Sequence, residues 1–193
     1  MLVDAAYSAF RPEKGIGVPL AALEPVADRA LVAVAWSASK TFTHYGLRVG
    51  ALVAFAHEAA QRDDLAASLT YACRGTWSNC NRGGMAAITR LLTDADVRTA
   101  AESERAALVK LLDERVAAFN DCAKRAKLRF PRYDGGFFTT IFAPDANAVA
   151  RRMREEGVYV VPVDGAVRVG LCAVKKADVP RLVETAARAL SAH

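Results

Sequence analysis

The segment WSASKTFTHYGLRVGAL, residues 36–52, sets one lysine among hydroxylated and aromatic side chains, with an arginine eight positions on. A lysine in a polar loop between two strands is ordinarily a solvated charge. Lys40 has neighbours that suit covalent work instead, because its amine can attack a carbonyl where shielding and nearby groups tune it. Ser37 and Ser39 precede it and Arg48 follows, so hydroxyls and a guanidinium can converge on an anion such as phosphate. Asp4, thirty-six residues upstream, ends an apolar stretch at a strand terminus, where ligands gather in parallel α/β sheets, and Tyr7 comes three residues later.

These side chains need elements to hold them. MLVDAAYSAF reads as a short buried strand running into a turn, and ALVAVAW and VGALVAF are continuous apolar runs, the pattern of strands buried in a mostly parallel sheet. The lysine segment lies between those two runs. RPEKGIGVPL is a Gly/Pro loop, and PLAALEPVADRA predicts a short helix. HEAAQRDDLAASLTYACRG is helical in composition, and NRGGMAAITRLLTD opens a second helix. From Asp94 to about Lys127 the chain has neither proline nor glycine, and Leu108, Leu111, Leu112, Val116, Phe119 and Ala123 recur at helical spacing. This predicts one helix of about 30 residues, or two in line, long enough at roughly 45 Å to tie two domains together.

After FPRYDGG the pattern changes. FFTTIFA, VYVVPV and AVRVGLCAV read as strands, KADVPRLVETAARAL as a closing helix, and DANAVARRMREEG as a helix with Asp145 at its N-cap and Gly157 at its stop. The expected domains are residues 1–105 and 106–193.

Composition narrows the function. With 53% hydrophobic and 24% charged residues the chain is an ordinary cored protein. A formal charge of +5 comes from scattered basic residues, without the stripe and interleaved aromatics of a nucleic-acid surface. Cys73, Cys80, Cys122 and Cys172 have no metal-ligand spacing and read as reduced thiols, so no metal is expected. No run reaches the ~18 apolar residues of a membrane span, and the N-terminus lacks a secretion pattern, so a cytoplasmic protein is expected.

An Asp at a strand end, a Tyr just beyond it and a Lys flanked by Ser and Arg are the parts that a pyridoxal phosphate site needs: a carboxylate for the pyridine nitrogen, a lysine for covalent attachment and an anion cradle. DAAYSAF, SASKTFTHYGLRVGAL, CRGTWSN and VRVGL, in that order, resemble the class I pyridoxal-phosphate-dependent aminotransferases, specifically the aspartate and aromatic amino-acid family, C-terminal half only. The resemblance implies an α/β chain of fold type I, with part of the large cofactor-binding domain and a small C-terminal α/β domain. It implies that Lys40 attaches the cofactor, pyridoxal 5′-phosphate, and moves the proton at the substrate's α-carbon. Asp4 would keep the pyridine nitrogen protonated, Tyr7 would bond the phenolic oxygen, and Ser37, Ser39 and Arg48 would hold the phosphate. Arg168 would clamp the α-carboxylate of an amino acid or 2-oxo acid. Arg74 matches the arginine that reaches a side-chain carboxylate in the partner subunit, which implies a homodimer.

Each position has a structural alternative. Arg74 can cap its own helix, Asp4 can cap a turn, and an outward-facing Arg168 is simply solvated. Trp77 and Phe138 are expected to pack, and His44, His57 and His193 to be surface or core histidines. SASK also fits the S-x-x-K of penicillin-binding proteins, but neither S-D-N nor K-T-G follows. GIG at residues 15–17 is a lone GxG, too little for a dinucleotide fingerprint. The family's Gly-rich phosphate turn and the rest of its large-domain sheet have no counterpart here. The expectation is therefore an aminotransferase acting on aspartate or an aromatic amino acid, completed by a second copy or an N-terminal half, or else a remnant inactive on its own.

Overall fold

The computed structural model describes residues 1–10, 23–56 and 58–192. The GIG segment, the start of the short helix expected from Pro19, His57 and His193 lie outside the described residues. The chain divides into two compact units, Met1–Ala106 and Ala107–His193.

In the first unit, strand β1 (Leu2–Asp4) pairs in parallel with β2 (Val32–Ser37), and β2 pairs antiparallel with β3 (Gly50–Phe55), giving the order β1-β2-β3. The sheet is thus mixed among the described residues, which corrects the mostly parallel arrangement expected for these runs. A short helix α1 (Glu24–Ala27) precedes β2, with Pro25 in its first turn where a missing N–H costs nothing. Helix α2 (Ala38–Thr41) follows β2 directly, and α3 (Ala59–Thr76) and α4 (Arg82–Thr93) follow β3.

Among the described residues this unit buries Ala5, Ala9, Phe10, Val32 and Val34. Ala38, Phe42 and Ile88 are buried together, with Trp36, Val49 and Leu91 packed against them, and Trp36 meets Phe42 edge-on at 6.0 Å. Burial of β1 and β3 falls short of what their apolar runs suggest. Leu2 is 71% exposed and Val53 46%, because both strands lie at edges of the three-stranded sheet and no described element covers them.

Helix α5 (Ala95–Arg125) is one unbroken helix of 31 residues, and the unit boundary falls within it. Its apolar stripe is shorter than the sequence pattern: Leu112, Val116, Phe119 and Ala123 are buried, whereas Leu108 and Leu111 are exposed.

In the second unit β4 (Phe138–Phe142), β5 (Val161–Val163) and β6 (Ala166–Gly170) form an antiparallel sheet ordered β4-β6-β5. Helix α6 (Ala146–Glu155) starts at Asp145, whose Oδ1 accepts from the Ala148 amide at 2.9 Å, and Gly157 at φ +75 lies just past its end. Helix α7 (Val179–Ser191) buries Val179, Leu182, Val183 and Ala186. Ile141, Met153, Val167 and Leu171 are fully buried in the same unit, and Phe119 meets Phe130 and Tyr133 edge-on.

Candidate active site

The parallel register of β1 on β2 sets Asp4 opposite Ala35, so that both strands end at the same edge of the sheet. β2 then runs into α2, and Ser37 closes the strand and caps the helix, its Oγ accepting from the Ser39 amide at 3.3 Å. Lys40 lies one turn further, on α2 and not in an extended loop. Its Nζ is 5.5 Å from the centroid of the Tyr7 ring and 4.8 Å from that of Tyr45. An amine against two aromatic rings gains electrostatic contact with their faces and is partly screened from water.

Arg48 closes this group. Its backbone is left-handed, at φ +54 and ψ 46, an unusual conformation for a non-glycine residue and one that costs energy elsewhere repaid. The conformation turns the side chain back, so that one guanidinium nitrogen donates to Ser39 Oγ at 3.4 Å and to the Tyr45 carbonyl at 3.1 Å, with the carbon 5.6 Å from the Tyr45 ring. The turn is held from below by Asn81, whose Nδ2 donates to the Leu47 carbonyl at 3.0 Å while its Oδ1 caps α4 at Gly84. Thr41, next to Lys40, is buried with a hydroxyl that has no hydrogen-bond partner among the described residues.

Lys40, Tyr7, Ser37, Ser39 and Arg48 are therefore gathered in one place. Asp4 sits three residues before Tyr7, and its Oδ1 accepts from the Ala6 amide at 2.9 Å, so it does cap the turn after β1. Arg74 folds back on the end of α3, donating to the Ser78 carbonyl at 3.2 Å and to Ser78 Oγ at 3.4 Å. That is the helix-capping alternative, and the structure gives Arg74 no contact with the Lys40 group. Ser37 opens a helix as the S-x-x-K reading requires, but its hydroxyl bonds the Ser39 amide and not Lys40. Sequence reasoning missed Tyr45 and Asn81. The i, i+3 spacing of Tyr45 and Arg48 was the available signal for the first; nothing local pointed to the second.

In the second unit Arg168 lies on the exposed face of β6, opposite Thr140 and Val161, with its guanidinium 4.9 Å from the Phe138 ring centroid. It borders an open cleft of about 340 Å³ lined also by Arg132, Tyr133, Phe138, Thr139 and Thr140. Tyr133 donates to the Gly136 carbonyl at 2.6 Å, and burial pushes its phenol well above the usual range, so it remains a neutral donor. Phe138, half-exposed, packs against Arg168 and Phe137 as expected, whereas Trp77 is 67% exposed. Among the described residues no group of three metal-ligating side chains occurs, and no helix is long and apolar enough to cross a membrane.

The arrangement of strands and helices is that of fold type I aminotransferases. An aminotransferase from Anaerococcus prevotii superposes with a TM-score of 0.77 at 30% identity, over 83% of this chain and 39% of that one. The aromatic-amino-acid aminotransferase of Burkholderia pseudomallei, covalently bound to pyridoxal phosphate, gives 0.75 at 24% identity over 98% of this chain and 47% of that one. Residues 1–185 match the aminotransferase class I and II family, and the chain belongs to it. The aromatic-amino-acid aminotransferase of Paracoccus denitrificans is 26% identical over 187 residues, 94% of this chain and 46% of that protein. The chain spans about half the length of the relatives it matches.

Proposed function

We propose that the chain carries the lysine side of a pyridoxal-phosphate-dependent aminotransferase site, which moves an amino group from aspartate or an aromatic amino acid to a 2-oxo acid. The observation that carries this reading is the grouping of Lys40 with Tyr7, Ser39 and Arg48 at the edge where β1 and β2 end. Family membership supports the reaction class, and the cofactor named for the Burkholderia relative supports the ligand.

The donor set fits that cofactor. A phosphate wants a guanidinium and hydroxyls, an aldehyde wants an amine, and a pyridine nitrogen wants a carboxylate; Arg48 with Ser37 and Ser39, Lys40, and Asp4 are those groups. Bound pyridoxal phosphate supplies an electron sink for the pair left on an amino acid's α-carbon. Lys40 holds the cofactor covalently and, once displaced, carries a proton at the α-carbon. Asp4 keeps a proton on the ring nitrogen, and Tyr7 bonds the phenolic oxygen. Arg168 takes the substrate α-carboxylate as a two-pronged donor. Arg74 releases Ser78 to meet a side-chain carboxylate in the partner subunit of a cytoplasmic homodimer. In this reading residues 1–105 are the C-terminal part of the large cofactor-binding domain and residues 106–193 the small domain.

A second reading has its own observation. β1 has one paired edge among the described residues, and Leu2, Leu52 and Val53 are exposed on the same sheet. An open edge beside apolar side chains invites further polypeptide. On that reading the chain is half of a split enzyme, or a remnant, without activity on its own.

The test is amino transfer to 2-oxoglutarate from aspartate, tyrosine and phenylalanine with excess cofactor, using the chain and an Arg168→Ala variant. Transfer that weakens at least about tenfold in kcat/KM in the variant supports the first reading. Folded protein that transfers from none of the donors supports the second.

A further inference from the structure

Tyr133 is buried between two exposed charged neighbours, Arg132 and Asp134. Its hydroxyl donates to the Gly136 carbonyl at 2.6 Å, and its own carbonyl accepts from Asn120 Nδ2, on α5, at 2.9 Å. These bonds fix the segment that leads into β4 while Arg132 and Asp134 stay in contact with water. The same segment lines the cleft of about 340 Å³ that Arg168 borders, so one concavity holds two guanidinium groups. Its volume is at the lower end for small-molecule sites, the scale of a short organic acid.

Both groups keep donors for a ligand. Arg168 makes no side-chain hydrogen bond among the described residues, and the Phe138 ring lies against it at 4.9 Å. Arg132 engages one nitrogen: its Nε lies 2.6 Å from Asp134 Oδ2, and nothing among the described residues takes its two terminal nitrogens. With side chains 88% and 68% exposed, that ion pair contributes little to stability. It ties Arg132 to its own loop and leaves the terminal nitrogens as a fork that matches a carboxylate.

We propose that Arg132 is a specificity-determining residue of this cleft, whose terminal guanidinium nitrogens take the second carboxylate of a 2-oxo dicarboxylic acid held by its first carboxylate on Arg168. The inference rests on the reading of Arg168 as the α-carboxylate donor. A monocarboxylic 2-oxo acid occupies Arg168 and leaves Arg132 in water, so it gains nothing from the second fork. Asp134 offsets the long-range pull of Arg132 on anions, and the preference therefore comes from direct contact. Arg132 and Arg168 belong to one chain, so this discrimination requires no partner subunit.

The experiment measures binding of 2-oxoglutarate and of 2-oxopentanoate, which has the same carbon chain without the second carboxylate. Each is titrated by ligand-observed NMR into the full chain without cofactor, at constant ionic strength. The parent should prefer 2-oxoglutarate by about fivefold or more, the size of one charge-assisted contact at a partly exposed site. Arg132→Gln should abolish the preference by weakening 2-oxoglutarate alone, Arg168→Ala should weaken both acids, and Lys124→Gln, which removes a charge from exposed α5, should keep the preference. Equal affinity of the parent for the two acids, or a preference that survives in Arg132→Gln, would overturn the proposal and leave Arg168 as the carboxylate donor. Binding indifferent to Arg168→Ala, or no binding of either acid, would overturn the reading of Arg168 and the proposal with it.

Discussion

Lys40 Nζ lies 4.8 Å from the centroid of the Tyr45 ring, and the same ring supports the Arg48 guanidinium at 5.6 Å. One exposed tyrosine therefore places both the amine and the cation that the proposed site needs. A ring face is worth about 0.5–1 kcal/mol to a cation at an exposed site, or roughly a two- to fivefold change in an equilibrium. Tyr45→Ala should lower cofactor occupancy at Lys40 by about that factor, measured by titration at equal protein concentration, and Tyr45→Phe should retain it because the face remains.

Arg48 offers a separation of stability from function. Its left-handed backbone costs about 1–3 kcal/mol for a non-glycine residue, whereas glycine adopts it freely but loosens the unfolded chain by about 0.4–1 kcal/mol. Arg48→Gly should leave the denaturation midpoint nearly unchanged or raised, while phosphate-dependent binding of the cofactor weakens by about tenfold or more. A variant that unfolds far more readily would show that the guanidinium is structural.

The support under that turn is also testable. A Cβ on Gly84 would come within 2.6 Å of Val49 Cγ2 and 3.0 Å of Asn81 Nδ2, the nitrogen that holds the Leu47 carbonyl. Helix propensity favours Gly84→Ala by about 1 kcal/mol, and overpacking opposes it by about 1–3 kcal/mol, so a net loss is expected. Val49→Ala removes the colliding methyl. In a double-mutant cycle the pair should cost less than the sum of the single changes, by about 1 kcal/mol.

Acid should act on the second unit through Glu156. The Arg188 guanidinium bonded to its carboxylate, helped by Thr185 and the charge of Arg181, holds its pKa below the ordinary 4.5, against the opposing effect of burial. A depressed folded pKa contributes stability that is present above the unfolded value and lost as pH falls through the folded one. Glu156→Gln should therefore be less stable than the parent near neutral pH, and the two unfolding curves should converge as the pH drops below about 4.5. Parallel curves at all pH values would remove Glu156 from the acid response.

The second unit was legible because its signals are local. Asp145 before an apolar helical pattern and Gly157 after it define α6 from neighbouring residues alone, and the alternation around Arg168 defines the faces of β6. The first unit was less so. An apolar run such as Gly50–Phe55 reads the same whether its faces are covered or bare and whether its neighbour runs parallel or antiparallel; those are properties of distant chain. The Lys40 group was legible in its members and not in its geometry: the left-handed turn at Arg48 is tied to the distant start of α4 through Asn81 and the Leu47 carbonyl. Arg74 carried two readings in the sequence, and the observed bonds to Ser78 are those of the capping one.

The central claim is that Lys40 is the residue that holds the cofactor. The measurement is borohydride reduction of the chain mixed with pyridoxal phosphate, followed by tryptic mapping, beside a Lys40→Ala control. A single dominant adduct on the peptide Ala30–Arg48, uncleaved at Lys40, absent from the control and diminished by prior addition of aspartate or an aromatic amino acid, is the predicted result. Label spread over surface lysines, equal in the control and indifferent to amino acids, would contradict it.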